Sequence, residues 1–140
     1  MRSMNHTYQS TIKLLSWLEE VSGEETFESV LVQLFDGSLD HDRIAKITKA
    51  IKTFFPEAVI VGASSSGEIS DGKVEEDTTL ISITGFQSTR LKTFSSDKEN
   101  AYDTGKDMAL SLIGPQTQCI IMFVYGFDYD IDELLKSFNV

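Results

Sequence analysis

Two short apolar runs, Val30–Phe35 and Ala58–Val61, flank a segment of helical periodicity, and this arrangement constrains the fold more than any other feature. Within the segment Ile44, Ile47, Ile51, Phe54 and Phe55 recur at helical spacing, with Arg43, Lys46, Lys49 and Lys52 toward solvent. Asp40 and Asp42 stand at its N-terminal end, where a carboxylate accepts backbone N–H bonds and opposes the helix dipole. Pro56 stops the helix, because it lacks an N–H and its ring clashes with the preceding turn. A strand, a helix and a strand in this order predict a parallel pair joined by a right-handed crossover. The near-continuous apolar character of Val30–Phe35, Ala58–Val61 and Cys119–Val124 predicts three central strands covered on both faces.

Around this unit, Leu14, Trp17, Leu18 and Val21 describe an amphipathic helix within an N-terminal helical segment, residues 1–25. Thr78–Thr84 is rich in β-branched residues and is expected to pair antiparallel with Arg90–Phe94. A helix is expected from about Asp97 to Ile113, with Gly105 and Ala109 letting it lie close to a sheet. Ile131, Leu134, Leu135 and Phe138 mark a last amphipathic helix. The expected class is α/β, a mixed and largely parallel sheet flanked by helices in one domain over residues 26–140. Because a fresh strand–helix unit normally continues into another strand, the chain is expected to be a truncated part of a longer module. An unpaired edge beside Cys119–Val124 would then favour self-association.

A length of 140 residues suits one domain and buries roughly 68 % of the unfolded surface, enough for a real core. The net charge of −10 argues against nucleic-acid and anionic-membrane partners, since both require a basic patch. Cys119 is the sole cysteine, so no intramolecular disulfide can form, which fits a reducing, cytoplasmic setting. No secretory signal and no membrane-length apolar run is visible.

Directly after the second strand comes Gly62-Ala-Ser-Ser-Ser-Gly-Glu-Ile69. Small hydroxyl side chains framed by glycines offer several hydrogen-bond donors in little space, with Glu68 at the far edge. The segment suits either a polar ligand or a tight connection between strands. It lacks the second glycine of a nucleophile elbow, the Gly-Lys-Ser/Thr of a P-loop and the spacing of a dinucleotide fingerprint. In open α/β sheets ligands bind beyond the carboxyl ends of the strands, where Asp36-Gly37 would meet this loop. The candidate ligand-binding residues are therefore Asp36, Ser64, Ser65, Ser66, Gly67 and Glu68. A zwitterionic amino acid would suit them, its carboxylate on the serines and backbone N–H groups and its ammonium on Glu68.

Other constellations are weaker. Asp128–Glu133 begins like a calcium loop but lacks the glycine and glutamate such a loop needs, and capping by Asp128 or Asp130 explains it better. His6 and His41 are the only histidines, are expected to be exposed, and make no zinc site. Ser65, His41 and Asp36 form a triad only on paper. No cofactor, metal or catalytic residue is expected.

Leu31-Val-Gln-Leu-Phe-Asp-Gly37, a helix ending Phe55-Pro56, Val59-Ile-Val-Gly-Ala-Ser-Ser-Ser-Gly-Glu-Ile69, Gly72-Lys-Val74 and a strand ending in Phe86 together resemble the N-terminal part of FIST domains. The likeness is strongest from Leu31 to Phe94 and looser to Val124. It implies a sensory, non-enzymatic module of a bacterial signal-transduction protein, binding a small polar molecule such as an amino acid. The expected partners are that ligand and a fused output domain of diguanylate cyclase, histidine kinase or chemoreceptor type. The alternatives are a ligand-free interaction or dimerisation module and a serine-dependent hydrolase.

Overall fold

The computed structural model describes residues 1–66, 68–70, 73–124 and 130–139, with backbone alone for 68–70, 73–75 and 139. In chain order the elements are β1 (Arg2–Thr7), α1 (Thr11–Glu24), β2 (Ser29–Asp36), α2 (His41–Phe54), β3 (Val59–Ser64), β4 (Glu68–Ser70), β5 (Lys73–Glu75) and β6 (Thr79–Phe86). They are followed by α3 (Ala101–Leu112), α4 (Ile131–Lys136) and a 3-10 turn, Ser137–Asn139. The chain divides into two compact units, Met1–Leu91 and Lys92–Val140.

The first unit holds a four-stranded sheet in the order β1-β6-β2-β3. The mixed α/β class is as expected, and β2 and β3 form the parallel pair that the crossover predicts. Both other pairings, β1 with β6 and β2 with β6, are antiparallel, so the sheet is not largely parallel. Register places Val32 beside Ile83 and Ile60, and Leu34 beside Ile81 and Gly62. Alternation along each strand then puts Val30, Val32, Leu34, Ile81 and Ile83 on one face, packed with Leu14 and Leu18 of α1 and Ile47, Ala50 and Ile51 of α2. That layer is the core.

Local chemistry sets the helix ends. The Arg43 backbone N–H donates to Asp40 Oδ1 at 2.9 Å at the start of α2, and the Lys52 ammonium donates to the Pro56 and Ala58 carbonyls beyond its end. Ser10 caps α1, Asn100 caps α3, and Asp130 caps α4, one of the two residues expected there.

Three expectations are corrected. Ala58–Val61 becomes β3, which lies at the edge of the sheet among the described strands, so of the three runs only Val30–Phe35 is central. Cys119–Val124 forms no strand; Cys119 is exposed, and the second unit contains no sheet among its described residues to receive one. The run is not buried either, with Ile121, Phe123 and Val124 exposed: an apolar run does not itself supply a hydrogen-bonding neighbour, and a strand without one has no independent stability. Arg90–Phe94 likewise forms no strand, because β6 is already paired on both sides, by β1 and β2. In the second unit Gly105 does allow close approach, but to α4: an added Cβ would lie 2.3 Å from the Leu134 carbonyl oxygen.

His6, expected to be exposed, is half-buried on β1 and stacks on Trp17 of α1 with ring centroids 4.8 Å apart. Its Nε2 is buried without a hydrogen-bond partner among the described residues. Burial, with a smaller contribution from the Lys13 charge, lowers its pKa below the ordinary 6.5. The neutral ring is thus favoured by folding. The stability this contributes is complete above about pH 6.5 and lost as pH falls through the lowered native value. Fluorescence of Trp17, the only tryptophan, is expected to titrate with a midpoint below 6.5, and His6→Phe should abolish that titration. A midpoint at or above 6.5 would contradict the burial argument.

Candidate functional site

A wide-mouthed cavity of about 430 Å³ lies between α2 and the carboxyl ends of β2 and the edge strand β3. β3 contributes Ile60, Val61, Gly62, Ala63 and Ser64 to its lining, and Gly62 and Ser64 bring no bulk to it. Leu34, Ile60 and Ile44 give apolar walls, and Thr48 and His41 line it from α2. Leu39, from the loop joining β2 to α2, also lines it.

Asp36 closes the polar end. Its side chain is buried, with 7 % of the residue exposed, and its Oδ1 accepts hydrogen bonds from the Thr79 hydroxyl at 2.6 Å and the Ser38 hydroxyl at 2.8 Å. Burial by itself pushes a carboxylate pKa up. Here the Thr79 and Ser38 hydroxyls, with the Ser38 and Asp40 backbone N–H groups, outweigh it and hold the carboxyl below its usual range. The Ser38 hydroxyl also accepts from the Asp40 backbone N–H at 3.3 Å. The main chain joins the same knot, with Gly37 N–H donating to the Thr78 carbonyl at 2.8 Å and Ser65 N–H to the Asp36 carbonyl at 3.0 Å. Asp36 therefore positions the loops around the cavity.

Leu39 departs from ordinary backbone geometry. Its φ of 53° lies in the left-handed region, where a side chain bearing a Cβ is disfavoured, and it is 68 % exposed.

Of the six residues expected to bind ligand, Asp36 and Ser64 line the cavity and are direct partners in the β2–β3 register. Ser65 adjoins them through its bond to the Asp36 carbonyl, and Ser66 is exposed. Gly67 and the Glu68 side chain lie outside the described residues; the Glu68 backbone begins β4. Leu39, Ile44, Thr48, Ile60 and Thr79 were not singled out as site residues. Ile44, Ile60 and Thr79 carried a sequence signal only for their elements, the helical periodicity and the two strand runs, and none for the site. Thr79 lies 43 residues from Asp36, and no local pattern announces that bond. Among the described residues no group of three or more His, Cys, Asp or Glu side chains could hold a metal ion. No described helix is long and apolar enough to cross a membrane.

The family model described as the FIST N domain matches residues 30–140. The chain belongs to the FIST family. FIST domains are sensory modules of signal transduction. The matched span of this FIST domain takes in β2, α2, β3 and β6, and so the walls of the cavity and the Asp36 knot. No curated protein and no solved structure gives a significant match.

Proposed function

We propose that this FIST domain is a cytoplasmic, non-catalytic sensor whose ligand is an amino acid. The observation that carries the reading is the cavity at the carboxyl ends of the parallel β2–β3 pair, the place where open α/β sheets bind ligands. Its volume falls in the range of small-molecule sites, roughly 300–1,000 Å³. In this reading Ser64, Ser65, Ser66 and the backbone at Gly67 receive the ligand carboxylate, and Glu68 receives its ammonium. Asp36 fixes the loop that faces them. The signal passes to a fused output domain of diguanylate cyclase, histidine kinase or chemoreceptor type.

A thermal-shift screen of the common amino acids tests this. A ligand at about 100 times its Kd stabilises the folded state by roughly 2.7 kcal/mol, which raises Tm by about 5 °C for a domain of this size. A few amino acids are expected to give such shifts, and Glu68→Gln should abolish them. If none moves the midpoint, or if Glu68→Gln changes no hit, the assignment is wrong. A ligand-free dimerisation module is the second reading. It is favoured by the edge position of β3, which can pair with a second copy. Dimerisation by sedimentation equilibrium, with no amino-acid response, would support it.

A further inference from the structure

We infer that the cavity selects amino acids with large apolar side chains, and that Leu39 is the residue that makes the selection. The inference rests on the proposed site and adds what occupies its interior. Leu34, Leu39, Ile44 and Ile60 present hydrocarbon to the cavity. The carboxylate at its end, Asp36, already accepts from Thr79 and Ser38 and is committed to holding the loop. A charged ligand side chain laid against this hydrocarbon would give up part of its water for no gain, whereas an apolar one gains by leaving water.

Leu39 sharpens the argument. A leucine is held with a left-handed backbone and remains 68 % exposed at the cavity, a position that glycine would occupy without strain. Nothing in packing accounts for a leucine there. The backbone on either side is tied, by the Gly37–Thr78 main-chain bond before it and by the Ser38–Asp40 bond across it. The side chain is thus presented toward the cavity by a loop that resists relaxing. A ligand with a large apolar side chain covers it, and the covered area becomes binding energy specific to such ligands. Ser64, at the boundary of cavity and loop, is where the ligand changes from its polar end to its apolar end.

Isothermal titration of the 140-residue protein with free leucine, isoleucine, methionine and phenylalanine, against alanine, serine, glutamate and lysine, tests the selection. The first four are expected to bind at least tenfold tighter than the second four. Leu39→Gly should melt no lower than the parent yet bind leucine about tenfold more weakly, the loss of much of one leucine's burial. Leu39→Met, which restores a flexible apolar side chain, should recover most of that loss. If amino acids bind without preference for apolar side chains, or if Leu39→Gly binds leucine as tightly as the parent, the inference fails while the sensor reading stands. If no amino acid binds at all, both fail together.

Discussion

Replacing Asp36 by alanine is expected to destabilise the protein by about 2–4 kcal/mol, because the buried Thr79 hydroxyl and the part-buried Ser38 hydroxyl lose their shared acceptor at once. Thr79 is fully buried at 0 % exposure, so its hydroxyl cannot turn to water instead. The loop at residues 37–40 loses its anchor with it. Asp36→Asn retains an acceptor oxygen and should cost less. The same knot sets an acid limit. Since the native carboxyl titrates below its ordinary 3.8, the stability it contributes is present above that value. It is lost as pH falls through the lowered native value. Urea denaturation across about pH 2 to pH 6 should show this acid limb in the parent and a flatter one in Asp36→Asn. An Asp36→Ala variant as stable as the parent would mean that the hydroxyls find other acceptors.

The second large effect is expected at Gly62. A Cβ built there would stand 2.3 Å from the Leu34 carbonyl oxygen, a distance real contacts do not reach, and 3.1 Å from the Leu34 Cβ, tighter than most. Relief requires moving β3 away from β2, and the Leu34–Gly62 pair lies in the middle of their register. Gly62→Val should therefore cost about 2–3 kcal/mol by overpacking and weaken every ligand response, since β3 forms one wall of the cavity. Ser64→Ala, on the same face but exposed, should change stability by no more than about 0.5 kcal/mol. Comparing the two variants by chemical denaturation separates close approach from mere alteration of the loop. Equal stability of Gly62→Val and Ser64→Ala would refute the close-packing argument.

The parts of the fold legible in the sequence are those written by local chemistry. The periodicity of Ile44, Ile47 and Ile51, the carboxylate at Asp40 and the stop at Pro56 gave α2 within two or three residues. The strand–helix–strand order gave the parallel pair, and with it the meeting of Asp36 and Ser64. Illegible were the features that depend on partners far along the chain. Arg2–Thr7 contains one strongly apolar residue, Met4, and is a strand because β6 offers it a hydrogen-bonding edge. Ala58–Val61 reads as a buried strand because all four side chains are apolar, yet Val59, Ile60 and Val61 are only half-covered, since its edge position depends on which strands lie beside it. At the site, the serines announced the loop, whereas the cavity depends on α2 and the 37–40 loop lying over the ends of β2 and β3. Leu39 was invisible because nothing in its identity signals a left-handed backbone; an asparagine or glycine there would have done so.

The strand order has a temporal consequence. β6 lies between β1 and β2, so the N-terminal strand has no neighbour in the sheet until residues 79–86 have left the ribosome. The β2–α2–β3 unit can assemble earlier, because its pairing spans only about one crossover. For some twenty residues of synthesis, from the end of β3 to the end of β6, the edge of β2 that β6 will cover stays open. The insertion of β6 closes that edge and recruits β1 in one step, joining Ser3 to Thr84 across 81 residues. Slow or faulty delivery of β6 is therefore the point at which this chain is most exposed to pairing with another copy of itself.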